Sequence, residues 1–160
     1  APRRVVLALH YAAPADLARA AIATLAQRHE SDGAFVRLET ADDLPEVLVD
    51  RHQVTEALTL LLSSVLECGP DPADVRVRLT RTEDPAGPSG QPAPTARIDV
   101  TYPAVITEHD LASDAGASPR RVLRKMDLGP AEKLLEANGG RLIRPVAGEP
   151  TLSVLLRAAR

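Results

Sequence analysis

The chain has 160 residues, the size of one domain, and carries 19 Lys+Arg against 22 Asp+Glu for a formal net charge of −3. Mixed charge of this kind gives no general attraction for nucleic acid or an anionic membrane surface. Hydrophobic residues make up 44% but aromatics only 2%, so the expected core is aliphatic, with few platforms for stacked bases or flat ligands.

Arg4 to Tyr11 is short, apolar and β-prone. Pro14-Ala15-Asp16 opens a helix that reaches about His29, with Pro near its first turn. Asp32-Gly33 marks a turn, and Ala34 to Glu39 alternates as a strand. Asp42-Asp43-Leu44-Pro45 breaks it before the short strand Val47 to Asp50. The clearest helix follows, over about 53–68. Val54, Ala57, Leu58, Leu61, Leu62, Val65 and Leu66 recur at three- and four-residue steps and predict one buried stripe. Gly69-Pro70 ends it.

Val75, Val77 and Leu79 alternate with Arg76, Arg78 and Thr80, a strand with one wet face, and Ala96, Ile98, Val100 and Tyr102 repeat the pattern. The Pro- and Gly-rich stretch 84–92 between them is a hairpin loop rather than a domain linker. Residues 107–127 are polar, with one basic helix candidate: Ser118 as cap, Pro119 in the first turn, then Arg120, Arg121, Arg124 and Lys125. A last helix over about 130–137 stops at Gly139-Gly140, and two strands close the chain. Runs of paired strands between helices predict an α+β fold, a two-layer sandwich with a mixed sheet covered on one face by helices.

The single cysteine, Cys68, excludes an internal disulfide and suits a reducing compartment. On its helix it reads as a small buried hydrophobe. His10, His29, His52 and His109 are far apart without metal-ligand spacing, so surface or edge roles are expected and no metal site. No apolar run approaches the length of a membrane span. The chain starts with Ala rather than Met, and a single domain over 1–160 excised from a longer protein is expected.

The C-terminal third carries a family resemblance. Leu134-Leu135-Glu136-Ala137-Asn138-Gly139-Gly140-Arg141-Leu142, then Gly148-Glu149-Pro150-Thr151 and Leu152 to Leu156, resembles the end of the ATP-binding domain of bacterial sensor histidine kinases, the Bergerat-type ATPase fold. Pro14-Ala15-Asp16-Leu17 and Asp43 to Asp50 are similar to the family's entry into its first helix and its approach to the nucleotide-binding helix. The resemblance covers roughly residues 14–157, on pattern more than identity.

Three nucleotide boxes are implied by that resemblance, and each is altered. Where the family has an Asn-rich box, this chain reads Leu60-Leu61-Leu62-Ser63-Ser64-Val65-Leu66-Glu67-Cys68-Gly69-Pro70. Leu60 and Ser64 stand at the two Asn positions and Glu67 at the Lys. A carboxylate beside phosphates replaces attraction with repulsion, and Ser64 lacks the reach and paired donor and acceptor of an amide. Tyr102 falls where an Asp accepts from the adenine amino group. In the Gly-rich phosphate box, Gly129 is the surviving glycine, with Asp127 adding negative charge and Pro130 removing an N–H donor. Glu56 lies where the fold often has a group that orients water or metal.

The resemblance therefore implies a degenerate histidine-kinase ATPase-like domain of two-component signalling. It is expected to be cytoplasmic, to lack a cofactor, not to be an enzyme by itself, and to act as an interaction module without nucleic acid or membrane contact. Its implied partner is a response-regulator receiver domain or another signalling protein, met by Arg120, Arg121 and Arg124, for which a solvated charged helix is the plainer reading. The alternative is a divergent but active histidine kinase domain holding Mg-ATP through substitute residues such as Glu56 and Ser64.

Overall fold

In the computed structural model, the described residues are 8–28, 36–68, 75–84, 93–102, 128–144 and 151–158. Their elements follow the order read from the sequence: β1 (Leu9–Ala12), α1 (Pro14–Arg28), β2 (Val36–Thr40), β3 (Val47–Asp50), α2 (Arg51–Cys68), β4 (Val75–Asp84), β5 (Ala93–Thr101), α3 (Gly129–Ala137), β6 (Arg141–Ile143) and β7 (Thr151–Arg157). The basic helix candidate around Ser118 and the strand start at Arg4 lie outside the described residues.

Five strands form a mixed sheet in the order β2-β4-β5-β7-β6. β2 runs parallel to β4, while β4–β5, β5–β7 and β6–β7 are antiparallel. β3 does not join β2, its neighbour in sequence. It pairs antiparallel with β1 as a separate two-stranded sheet, Tyr11 opposite Leu48 and Leu9 opposite Asp50. An isolated bridge from Val47 to Ala158 connects it to the end of β7.

Alternation decides which face of the large sheet is dry. Val75, Val77 and Leu79 of β4, Ala96, Ile98 and Val100 of β5, and Leu152, Val154 and Leu156 of β7 are buried and turn to one side. The three described helices cover that side. α1 contributes Leu17, Ala18, Ala21 and Leu25, α2 contributes Val54, Ala57, Leu58, Leu61, Leu62 and Val65, and α3 contributes Ala131 and Leu135. The stripe read on α2 is thus the centre of an aliphatic core, with Leu66 only partly buried at its end. Fully burying one such side chain stabilises the fold by roughly 1.5–3 kcal/mol.

α3 ends on a Schellman motif. Gly140 N–H donates to the Leu135 carbonyl at 2.8 Å and Gly139 N–H to the Glu136 carbonyl at 3.1 Å. Gly139 has φ +74°, a conformation that a Cβ disfavours. Gly140 is held for a different reason: a Cβ there meets the Leu155 carbonyl oxygen at 2.8 Å and Leu156 Cδ2 at 2.9 Å. The helix end is therefore pressed directly against β7.

Candidate functional site

The edge of α2 beside its buried stripe carries Glu56, Leu60 and Ser64, four residues apart and so on one strip of the helix. All three are half-buried. The Glu56 carboxylate accepts from Arg28 Nη2 at 3.1 Å, which ties the end of α1 to α2. Leu60 packs against the core cluster. Thr59, one residue before it, is fully buried and donates its hydroxyl to the Thr55 carbonyl at 2.7 Å. The side chain of Glu67 lies outside the described ones.

Tyr102 follows the last residue of β5 and is 9% exposed, within the same core cluster as Leu128 at the entrance to α3. Gly129 is the first residue of that helix, with Pro130 at its start and no side-chain cap at Leu128. Leu60, Tyr102 and Leu128 are therefore brought to one apolar cluster. Asp127, Arg120, Arg121 and Arg124 lie outside the described residues. His10 and His52 are exposed, as expected of them. Among the described residues, no group of three or more His, Cys, Asp or Glu is placed to hold a metal.

Two features were not anticipated. A groove of about 430 Å³ lies between the first turns of α2 and α1, lined in part by Tyr11, Asp16, Leu17, Glu46, Arg51 and Thr55. Arg51 Nη2 donates to the Tyr11 carbonyl at 2.8 Å. None of the nucleotide-box positions lines this groove.

The second is a polar junction at the start of α2. Asp50 Oδ1 accepts from Gln53 N–H at 3.1 Å, an N-cap, and Oδ2 accepts from Ala8 N–H at 3.1 Å. The hydrogen bond from Gln53 holds the Asp50 carboxyl below its ordinary pKa of 3.8, against the opposing effect of burial, with help from Ala8 and His52. The cap itself was visible as an Asp before an apolar periodic run. Its tie to α3, where the Asp50 backbone N–H donates to Asn138 Oδ1 at 2.7 Å, was not, because nothing local connects the two residues.

The arrangement gives a fold before any particular relative: a mixed sheet backed, among the described residues, by three helices, the fold of histidine kinase catalytic domains. The mycobacterial sensor histidine kinase MprB superposes with a TM-score of 0.55 at 17% identity, covering 95% of this chain and 97% of that one. The catalytic domain of histidine kinase ThkA gives 0.56 at 12% identity, covering 96% of each. The cytoplasmic segment of histidine kinase QseC gives 0.55 at 10% identity, covering 93% of this chain and 77% of that one. No protein-family model matches the sequence, and no curated protein matches it. No helix among the described residues is long and apolar enough to cross a membrane.

Proposed function

We propose that this chain is a histidine-kinase ATPase-like domain of two-component signalling that does not bind Mg-ATP in the ordinary way and acts as a protein-interaction and regulatory module. The observation that carries the reading is Tyr102. At the end of β5, where the resemblance expects a carboxylate to accept from the adenine amino group, a phenol ring is packed into the core at 9% exposure. A hydroxyl on a ring inside the core cannot substitute for an accessible carboxylate at the floor of a base pocket.

The neighbouring positions support it. Leu60 offers no polar atom where an amide would coordinate, and leans on the core. The Glu56 carboxylate is engaged by Arg28. Glu67 and Asp127 are negative in sequence where phosphates are expected. These residues do not fit Mg-ATP, and no phosphoryl transfer is derived for the isolated domain. A receiver domain or another signalling protein is the proposed partner, with Arg120, Arg121 and Arg124 as its contacts. A cytoplasmic location is proposed from the likeness to the cytoplasmic segment of QseC.

Calorimetric titration with Mg-ATP and with ADP tests the reading. Binding no tighter than about millimolar is expected, the affinity left when specific contacts are few. Micromolar binding overturns it and favours a divergent active kinase domain that uses Ser64 and Glu56.

A further inference from the structure

Among the described residues, the exposed large hydrophobic side chains are Leu9 at 47%, Tyr11 at 62% and Leu48 at 39%. Strand register gathers all three. Tyr11 stands opposite Leu48 in the β1–β3 pair, and Leu9 lies two residues from Tyr11 on the same face. The other face of this two-stranded sheet carries Ala12, Val47 and Val49, which are buried in the core. One face is thus sealed, and the other presents apolar side chains that are clustered rather than scattered, the mark of a contact surface.

Charge at the margin of this patch is balanced and set at two ends. Glu46 immediately precedes β3, Arg51 immediately follows it, and both line the groove beside Tyr11. Glu46 is exposed, and its carboxylate has no hydrogen-bond or ion-pair partner among the described residues. Arg51 is exposed too, and its guanidinium donates to the Tyr11 carbonyl but meets no carboxylate. The remaining charged residue lining the groove, Asp16, is paired with Arg19 at 3.1 Å. Asp50, opposite Leu9, is buried and accepts from the backbone N–H groups of Gln53 and Ala8. Asp42 and Asp43 are exposed before β3 and do not line the groove. One acid and one base are left, separated by the four residues of β3, roughly 15 Å of extended chain.

From this geometry we infer that the open face of the β1–β3 sheet is a contact between two copies of this chain, related by a two-fold axis that crosses β3 near Leu48. Such an axis reverses the strand. Glu46 of one copy then meets Arg51 of the other at each end, while Leu9, Tyr11 and Leu48 cover their counterparts between. A patch with an acid at one end and a base at the other is complementary to itself. A partner of a single charge sign meets a like charge at one end, and an uncharged one leaves both ends unpaired. Three part-exposed side chains supply less than the roughly 800 Å² per partner of a standard interface, so the dimer is weak and forms as concentration rises. None of the nucleotide-box positions lines the groove, and the contact does not involve the basic segment 120–125.

The test is sedimentation equilibrium of the chain between about 10 µM and 1 mM, which brackets a dissociation constant on the order of 100 µM. Monomer should pass into dimer with concentration, and less so as salt rises. Glu46→Arg and Arg51→Glu should each weaken self-association at least tenfold, by setting like charges together at both ends. An equimolar mixture of the two variants should recover it, because both pairs are then opposite in sign again. That recovery separates a broken contact from a damaged fold, since a misfolded chain regains nothing by mixing. Tyr11→Ser with Leu48→Ser should also lower association, with an unchanged circular dichroism spectrum. The readout is independent of the nucleotide titration, so either reading can fail without the other. A monomer at every concentration, charge variants that associate like the native chain, no recovery on mixing, or a patch that takes up a basic or an acidic peptide while the chain stays monomeric overturns the inference.

Discussion

Asn138 Oδ1 accepts the backbone N–H of Asp50 at 2.7 Å, joining the C-cap of α3 to the N-cap of α2 across 88 positions of sequence. The Asn138 amide group also donates to Gln53 Oε1 at 3.1 Å and to the Leu134 carbonyl at 2.8 Å. One side chain thus closes two helix ends whose orphan groups require partners. Asn138→Ala should destabilise the domain by roughly 1–3 kcal/mol, because a part-buried N–H is left without its acceptor. Urea unfolding measures this; a loss within error would mean that water replaces the amide at no cost.

Asp50 makes the same junction pH-dependent. Its folded-state pKa is depressed below 3.8, so the unfolded chain takes up the proton first as pH falls. The stability it contributes is fully present above the unfolded value and is lost on descending through the folded one. Unfolding free energies measured between about pH 5 and pH 2 should fall more steeply for the native domain than for Asp50→Asn. Parallel profiles would show that this carboxylate is not what acid attacks.

The two glycines after α3 should respond unequally. Gly139→Ala meets open space but a φ of +74°, a left-handed conformation that costs roughly 1–2 kcal/mol with a Cβ. Gly140→Ala drives a methyl against the backbone oxygen of Leu155, and overpacking against backbone costs typically 1–3 kcal/mol, occasionally more. Thermal unfolding should rank Gly140→Ala as the more damaging; the reverse order would place the tight contact elsewhere.

On α2, Leu61→Ala or Leu62→Ala should cost roughly 2–5 kcal/mol, since both are buried in the core. Ser64→Ala should cost far less, because Ser64 is half-buried at the helix edge and loses only a hydroxyl. Comparable losses at all three sites would contradict the placement of the helix face.

For the proposed partner, Arg120→Glu with Arg121→Glu should weaken receiver-domain binding, more at low salt than at high, with an unchanged circular dichroism spectrum. Surface-binding assays at two ionic strengths check this; unchanged binding removes the segment from that interface.

Much of the architecture follows from local pattern. The three- and four-residue recurrence from Val54 to Leu66 dictates a helix with one buried stripe, and the alternation through Val75, Val77 and Leu79 dictates a strand with one wet face. The Gly pair stops α3 whatever surrounds it, because Gly139 accepts a φ that other residues resist. The residue types on which the proposed loss of nucleotide binding rests stand in the sequence itself, above all Tyr102 where the resemblance expects an acid. That the Tyr102 ring is packed inward was not, because burial depends on what the rest of the chain brings to it.

Beyond the β4–β5 hairpin, tertiary structure alone decided the pairings. β3 follows β2 in sequence yet pairs with β1, and β2 reaches β4 only after α2 intervenes. Strand order and register minimise the energy of contacts distant in sequence, and periodicity carries no record of them. For the same reason Arg76 and Arg78 read as ordinary solvated residues of one strand. Only the parallel pairing of β2 with β4 sets them beside Glu39.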